Sequence, residues 1–242
     1  MATDAPPDLS IVVPAYNEEA LLEWAVRALV AGGVESGIAV EVVVVNDGSE
    51  DRTGEIAERL ARAIPGVRVA HHGVNQGWGS AVRTGIANAK KEIVALSPVD
   101  SPLTGEQMRL FVEALGDADI VVGYRSDRPG YSPWLHFASQ CYHRIVTGVF
   151  GLRLRDVNWI HFYRKTVIES LPLRLSGIVF PAEVLAKAVR RGYRIVEVPS
   201  TMQARTSGRP TVSRPRVIGR AVRDLGRLWW ELRRPEWRRG RR

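Results

Sequence analysis

A single cysteine, Cys141, stands in the 242 residues, so no disulfide can form within the chain and nothing argues for an oxidising compartment. A reducing cytoplasm is the expected setting. Long apolar runs are missing as well: stretches such as Val42–Val45 fall far short of the roughly 18 continuous residues that span a bilayer. No transmembrane helix is expected. The first eight residues carry Asp4 and Asp8 but no basic residue and no apolar segment, which argues against a secretory signal and leaves a short disordered leader over 1–8. Net positive charge is absent until late in the chain. Thirteen arginines against three acids between Arg205 and Arg242 give that segment a net +10, leaving −2 of the chain's +8 for everything before it. Such an excess asks for a polyanionic partner at that end, either a membrane surface or a nucleic acid.

What is present fits an ordinary globular protein with a substantial core: 45% of the residues are hydrophobic and 25% charged. Leu9–Val13 is short, rich in β-branched residues and stopped by Pro14, while Ala39–Val45 is the almost continuous apolar run of a strand buried on both faces. Between them a helical pattern runs from Glu18 to about Ala31, with Leu21, Leu22, Ala25 and Leu29 on one side. Gly32-Gly33 is expected to end it. Helices over Thr53–Ala63 and Trp78–Ala89 alternate with strands over Val67–Ala70 and Glu92–Leu96, and a fifth apolar run covers Ile120–Val122. This order predicts an α/β fold built on a doubly wound, mostly parallel sheet.

Ligands of such sheets lie beyond the carboxyl ends of the strands, so the residues just after each strand carry the functional information. After the first stand Pro14, Ala15, Tyr16, Asn17, Glu18 and Glu19; after the second, Asn46, Asp47, Gly48 and Ser49. Together they offer a tight turn, carboxylate acceptors and an aromatic face, suited to a nucleobase and ribose. Either group alone could be a helix cap. At successive strand ends they point to a nucleotide site.

Val12-Val13-Pro14-Ala15-Tyr16-Asn17-Glu18 and Val45-Asn46-Asp47-Gly48-Ser49 resemble the opening motifs of the inverting family 2 glycosyltransferases, which include dolichyl-phosphate mannosyltransferase and the bacterial polyprenyl-phosphate glycosyltransferases. The spaced set Asn75, Gly77, Gly79, Ala81 and Gly85 is similar to the third motif, although by itself it could be a flexible turn into a helix. The resemblance covers roughly residues 9–208. It implies the Rossmann-like GT-A fold over 9–208, a nucleotide diphosphate sugar as donor, and donor contacts from Pro14, Tyr16, Glu18, Asp47 and Gly77.

Later segments depart from the family's pattern. Where it places two carboxylates one residue apart to hold a divalent cation, Ser97-Pro98-Val99-Asp100 keeps only Asp100. One hard ligand holds Mg²⁺ or Mn²⁺ weakly unless diphosphate oxygens and water complete the shell. Asp100 could instead cap the helix near Glu106. Gly123-Tyr124-Arg125 is similar to a family segment whose arginine is expected to face phosphate, so Asp100 and Arg125 are the expected catalytic residues, with Asp100 also the metal ligand. In Asp156–Arg164 the family's glycine and arginine are absent and Ile160 and His161 stand nearby, which suggests an altered acceptor or sugar pocket, or a structural His161. Gly192–Pro199 resembles the late strand. Arg205 with Gly208 resembles the start of the acceptor loop, but Pro210-Thr211 replaces the usual Ser-Lys. Arg205 and His161 are the expected acceptor contacts.

In the basic tail, 209–242, Ile218, Val222, Leu225, Trp229 and Leu232 recur at helical steps, and Arg216, Arg220, Arg223 and Arg227 take much of the remainder. An amphipathic helix of this kind suits an anionic membrane interface; alternatively it packs on the domain with a solvated charged side. The expectation is an inverting glycosyltransferase at the inner face of the cytoplasmic membrane, transferring to a polyprenyl phosphate. That acceptor is already ionised and needs no base, whereas a hydroxyl acceptor would need one, with Asp156 and His161 the first candidates. A nucleotide-sugar binding protein without catalysis is the reading from another class. Nucleic-acid binding explains the arginines but not the strand-end motifs, so no nucleic-acid partner is expected.

Overall fold

The computed structural model of the protein describes residues 8–125, 133–201 and 215–237. Strand β1 (Asp8–Ala15) lies between β2 (Ala39–Asn46) and β4 (Ile93–Leu96), and β3 (Val67–His71) flanks β2, all in parallel. Beyond β4 come β6 (His161–Arg164), antiparallel to both its neighbours, then β5 (Ile120–Arg125) and β7 (Ile195–Ser200). The sheet thus has seven strands in the order β3-β2-β1-β4-β6-β5-β7 and is mostly parallel, as expected.

Alternation along β1 sends side chains into two separate cores. Leu9, Ile11 and Val13 join the layer formed with α1 (Leu22–Ser36), α2 (Thr53–Ala63) and α4 (Gly105–Leu115). Val12 points the other way, toward α3 (Trp78–Asn88), α5 (Pro133–Phe150), α6 (Lys165–Ser170), α7 (Phe180–Arg190) and α8 (Pro215–Leu232).

Three expectations are adjusted. Helix α1 does not stop at Gly32-Gly33 but continues to Ser36, where Gly37 takes the left-handed cap with φ 69°. The glycines serve packing: a Cβ on Gly32 would lie 3.1 Å from Met108 of α4, and one on Gly33 2.4 Å from Val40. Helix α4 is capped by Thr104 and not by Asp100, in a reciprocal box with Gln107. In α8 the apolar set divides: Leu232 packs and Leu225 half-packs on the body, while Ile218, Val222 and Trp229 face outward. The inward stripe is Ala221, Asp224, Leu228 and Leu232.

Buried charge fixes that rotation. Fully buried Lys187 of α7 donates to Glu183 at 2.7 Å, to Glu231 of α8 at 2.9 Å and to the Pro172 carbonyl at 2.7 Å. Glu183 in turn accepts from the backbone N–H groups of Arg174 and Leu175, both at 2.9 Å. No helix among the described residues is long and apolar enough to cross a membrane.

Candidate active site

The loops after β1 and β2 are laced together at the carboxyl edge of the sheet. Asn17 adopts φ 55°, a left-handed conformation that asparagine tolerates, and this turns its amide toward the neighbouring loop. Its N–H donates to Ser49 Oγ at 3.0 Å, and its Oδ1 accepts from the Glu50 N–H at 2.9 Å. The Glu18 N–H donates to Thr53 Oγ1 at 2.8 Å, the Glu19 N–H to Asp51 at 3.2 Å, and the Arg52 N–H to the Glu19 carboxylate at 3.2 Å. Each loop satisfies backbone donors of the other, so the two act as one rigid platform. Half-buried Pro14 does not stop β1, which runs on to Ala15; Glu18 is half-buried, and Tyr16 stands at the rim of the platform, 42% exposed.

Asp47 joins this platform to the third loop. Its N–H donates to the Ala15 carbonyl at 2.9 Å, and its carboxylate accepts from the Gln76 and Gly77 N–H groups, each at 2.9 Å. His72 Nδ1 lies 2.6 Å from the same carboxylate, and its Nε2 lies 2.9 Å from Thr84 Oγ1. Gly77 itself has φ 99°, and a Cβ there would lie 2.5 Å from the Ser176 carbonyl oxygen. The glycine is demanded by both backbone and space.

At the other half of the edge, half-buried Asp100 follows β4. Pro98 stands in the place of the missing carboxylate, and the buried Ser97 before it accepts from the Leu103 N–H at 3.3 Å. Among the described residues no three or more His, Cys, Asp or Glu side chains cluster as a metal site. Asp100 offers one carboxylate at this edge, which fits a divalent ion only as a shared ligand with a bound diphosphate.

Arg125, ending β5, forms a forked pair with Asp156, Nε to Oδ2 at 2.8 Å and Nη2 to Oδ1 at 3.2 Å, and its guanidinium lies 4.9 Å from the Trp159 ring centre. His161 opens β6, fully buried, with Nδ1 2.7 Å from the Tyr163 hydroxyl. Burial pushes its pKa down to about 4 against the opposing pull of the Asp156 carboxylate, so the ring is neutral at ordinary pH. Arg205 lies outside the described residues.

The structure brings Pro14, Tyr16, Glu18, Asp47 and Gly77 to one end of the sheet, with Asp100 and Arg125 further along the same edge. Ser49 belongs to the strand-end motif already read from the sequence, whereas the loop-holding roles of His72, Thr53 and Gln76 were not legible there. The available signal for His72 was its place one residue past a strand end.

Residues 10–167 match the family model Glycosyl transferase family 2. An undecaprenyl-phosphate mannosyltransferase of Micrococcus luteus is 30% identical over 91% of this chain and 93% of its own length. A dolichol-phosphate mannosyltransferase of Pyrococcus furiosus is 29% identical over 92% of this chain and 64% of its own. In fold, the chain is similar to glucosyl-3-phosphoglycerate synthase of Mycobacterium tuberculosis, solved with Mn²⁺, UDP-glucose and phosphoglyceric acid, at a TM-score of 0.70 and 19% identity over 93% and 80% of the two chains. The chain belongs to glycosyl transferase family 2 and is a glycosyltransferase.

Proposed function

We propose that this glycosyltransferase transfers a sugar, with inversion, from a nucleoside diphosphate donor to a polyprenyl phosphate. The donor reading rests on the loops at the ends of β1, β2 and β3, which Asp47 draws into one rigid surface beside exposed Tyr16. Tyr16, Glu18 and Asp47 hold the nucleoside there, and Asp100 and Arg125 face the diphosphate. Asp100 would take part in holding Mg²⁺ or Mn²⁺, which would supply positive charge to the diphosphate oxygens. Arg125, kept in place by Asp156, is the protein's own cation on that side.

The observation that carries the acceptor reading is the engagement of both candidate bases. Asp156 is 3% exposed and forked onto Arg125, and His161 is completely buried against Tyr163. Neither is presented to an incoming hydroxyl, whereas a phosphate monoester is ionised already and attacks without losing a proton. One of its oxygens forms the new bond to the anomeric carbon on the face opposite the leaving group. The bond to the nucleoside diphosphate breaks with its electron pair. The relatives from Micrococcus luteus and Pyrococcus furiosus, named for polyprenyl-phosphate acceptors, support the same choice.

A peripheral place on the inner face of the membrane is the matching location. Ile218, Val222, Trp229 and Trp230 of α8 are exposed among Arg220, Arg223 and Arg227, which suits an anionic lipid surface. Arg205 and the arginines of the 209–242 segment would add cations for the acceptor phosphate. The deciding experiment incubates the enzyme with labelled GDP-mannose or UDP-glucose and either undecaprenyl phosphate or undecaprenol. Label in the phosphate lipid alone is the expected result. Label in the alcohol would establish the hydroxyl reading, and failure to bind any nucleotide sugar would overturn the donor site.

A further inference from the structure

We propose that Arg220, on the C-terminal helix, is a positioning residue for the donor loop and acts through Ser176. The inference rests on the donor reading above and extends it to a part of the chain that no donor motif contains.

The loop at 172–177 is the link. It lies against the third motif so closely that side chains are excluded: a Cβ on Gly79 would sit 2.8 Å from the Leu175 carbonyl oxygen, as one on Gly77 would sit 2.5 Å from that of Ser176. The Gly79 N–H donates to the Ser176 carbonyl at 2.9 Å, and Arg83 of α3 donates to the Leu175 carbonyl. Gly77 is also one of the two backbone donors to Asp47. Displacement of the 175–177 backbone must therefore reach the Asp47 carboxylate through one short segment.

Two groups hold that backbone from behind. Glu183 takes the N–H groups of Arg174 and Leu175, and its partner Lys187 reaches Glu231 of α8. Arg220, about three turns earlier in α8, passes beside Gly177 and donates through Nη2 to Ser176 Oγ. The two anchors differ in kind. The buried ions are part of the core, whereas Arg220 is an exposed residue of α8. Arg220 thus fixes the side chain of the residue whose carbonyl supports the third motif, and the same helix carries the outward apolar residues proposed for the membrane.

The test compares Arg220→Ala, Arg220→Lys, Ser176→Ala and the double variant Arg220→Ala/Ser176→Ala in the full-length protein. The probes are GDP-mannose and UDP-glucose with MnCl₂, measured by calorimetry in the absence of lipid, so that loss of membrane binding cannot interfere. Arg220→Ala is expected to weaken the nucleotide sugar by roughly three- to tenfold, with the melting temperature within about two degrees of wild type. Arg220→Lys, which keeps one donor in reach of Ser176, should recover a large part of the loss. Ser176→Ala should reproduce it, and the double variant should be no worse than either single one, because both remove the same contact. Wild-type affinity in Arg220→Ala, failure of lysine to restore any of the loss, or additive losses in the double variant would each overturn the proposal. Asp47→Asn in the same assay separates the two claims. If it weakens the nucleotide sugar while Arg220→Ala does not, only the Arg220 role falls. If neither variant changes affinity, or the wild type binds neither probe, the donor site itself is misplaced.

Discussion

The two ends of the sheet are held together by different means. Around β1, β2 and β3 the site loops exchange single hydrogen bonds between side chains and backbone N–H groups, all among residues that follow a strand by a few positions. Around β5, β6 and α7 the fixed points are ion pairs with little or no exposure, Arg125–Asp156 and Glu183–Lys187, the latter continuing to Glu231. The first arrangement joins successive strand-end loops through their backbone donors and leaves a polar rim facing solvent, as a ligand platform should. The second buries charged side chains against one another and trades desolvation for a fixed geometry, so losing one member is costly.

The sharpest way to break that contrast is Lys187→Met, which leaves Glu183 fully buried without its cation. Loss of about 3–5 kcal/mol in urea unfolding is expected. Replacing Glu183, Lys187 and Glu231 together with apolar residues of similar volume should recover only part of it, because the Arg174 and Leu175 N–H groups and the Pro172 carbonyl then lose their partners. A loss below about 1 kcal/mol in the single variant would mean that the network contributes no more than an exposed pair.

His161 gives the next effect, visible only in acid. Its folded pKa is depressed to about 4 from an ordinary 6.5, so between those values the unfolded chain binds the proton that the folded one refuses. Stability is therefore complete above about pH 6.5 and falls as pH drops toward 4, by on the order of 3 kcal/mol over the window. His161→Phe should flatten that acid limb whatever it does to stability at neutral pH. An unchanged slope between pH 6.5 and 4 would assign the acid sensitivity to other groups.

Asp47→Asn should come third, and it probes the donor half. Replacing one carboxylate oxygen with an NH₂ puts a donor against the Gln76 or Gly77 N–H, at a cost of about 1–3 kcal/mol to folding. Nucleotide-sugar affinity should fall further, by roughly tenfold or more, because the platform and the third loop lose their shared acceptor. Equal affinity in the variant, measured by calorimetry, would remove Asp47 from the site.

The same contrast explains what could be read from the chain. The strand-end motifs were legible because a parallel sheet places its ligands after successive strands, and Pro14, Tyr16, Glu18 and Asp47 sit there in order. Helix α2 matches its pattern from Thr53 to Ala63, since one amphipathic face and no competing contact define it. Four-residue β6 was hidden because it is too short to establish a period and pairs antiparallel in an otherwise parallel sheet. The rotation of α8 was hidden as well, since helical spacing gives a stripe but not the partner that selects it. That partner is the buried Lys187–Glu231 pair, formed across 44 positions of sequence. Arg125 could be named from its place at a strand end, but its engagement with Asp156 could not.

The smallest predicted effect bears on whether the platform's rim is used at all. Tyr16 and Trp24 are exposed to nearly the same degree, 42% and 45%, yet only Tyr16 stands at a strand end; Trp24 lies in helix α1. Exposed rings contribute little to folding, so Tyr16→Ala and Trp24→Ala should both melt close to wild type. If a nucleobase rests on the Tyr16 face, removing the ring costs about 0.5–1.5 kcal/mol of stacking, a loss of roughly two- to tenfold in nucleotide-sugar affinity. Tyr16→Phe keeps the face and should bind nearly as tightly as wild type, and Trp24→Ala should be indistinguishable from it. Calorimetric titration of the three variants with the same nucleotide sugar settles the matter. Wild-type affinity in Tyr16→Ala would move the base off this ring, and a loss in Tyr16→Phe as large as in Tyr16→Ala would show that the hydroxyl, and not the aromatic face, makes the contact.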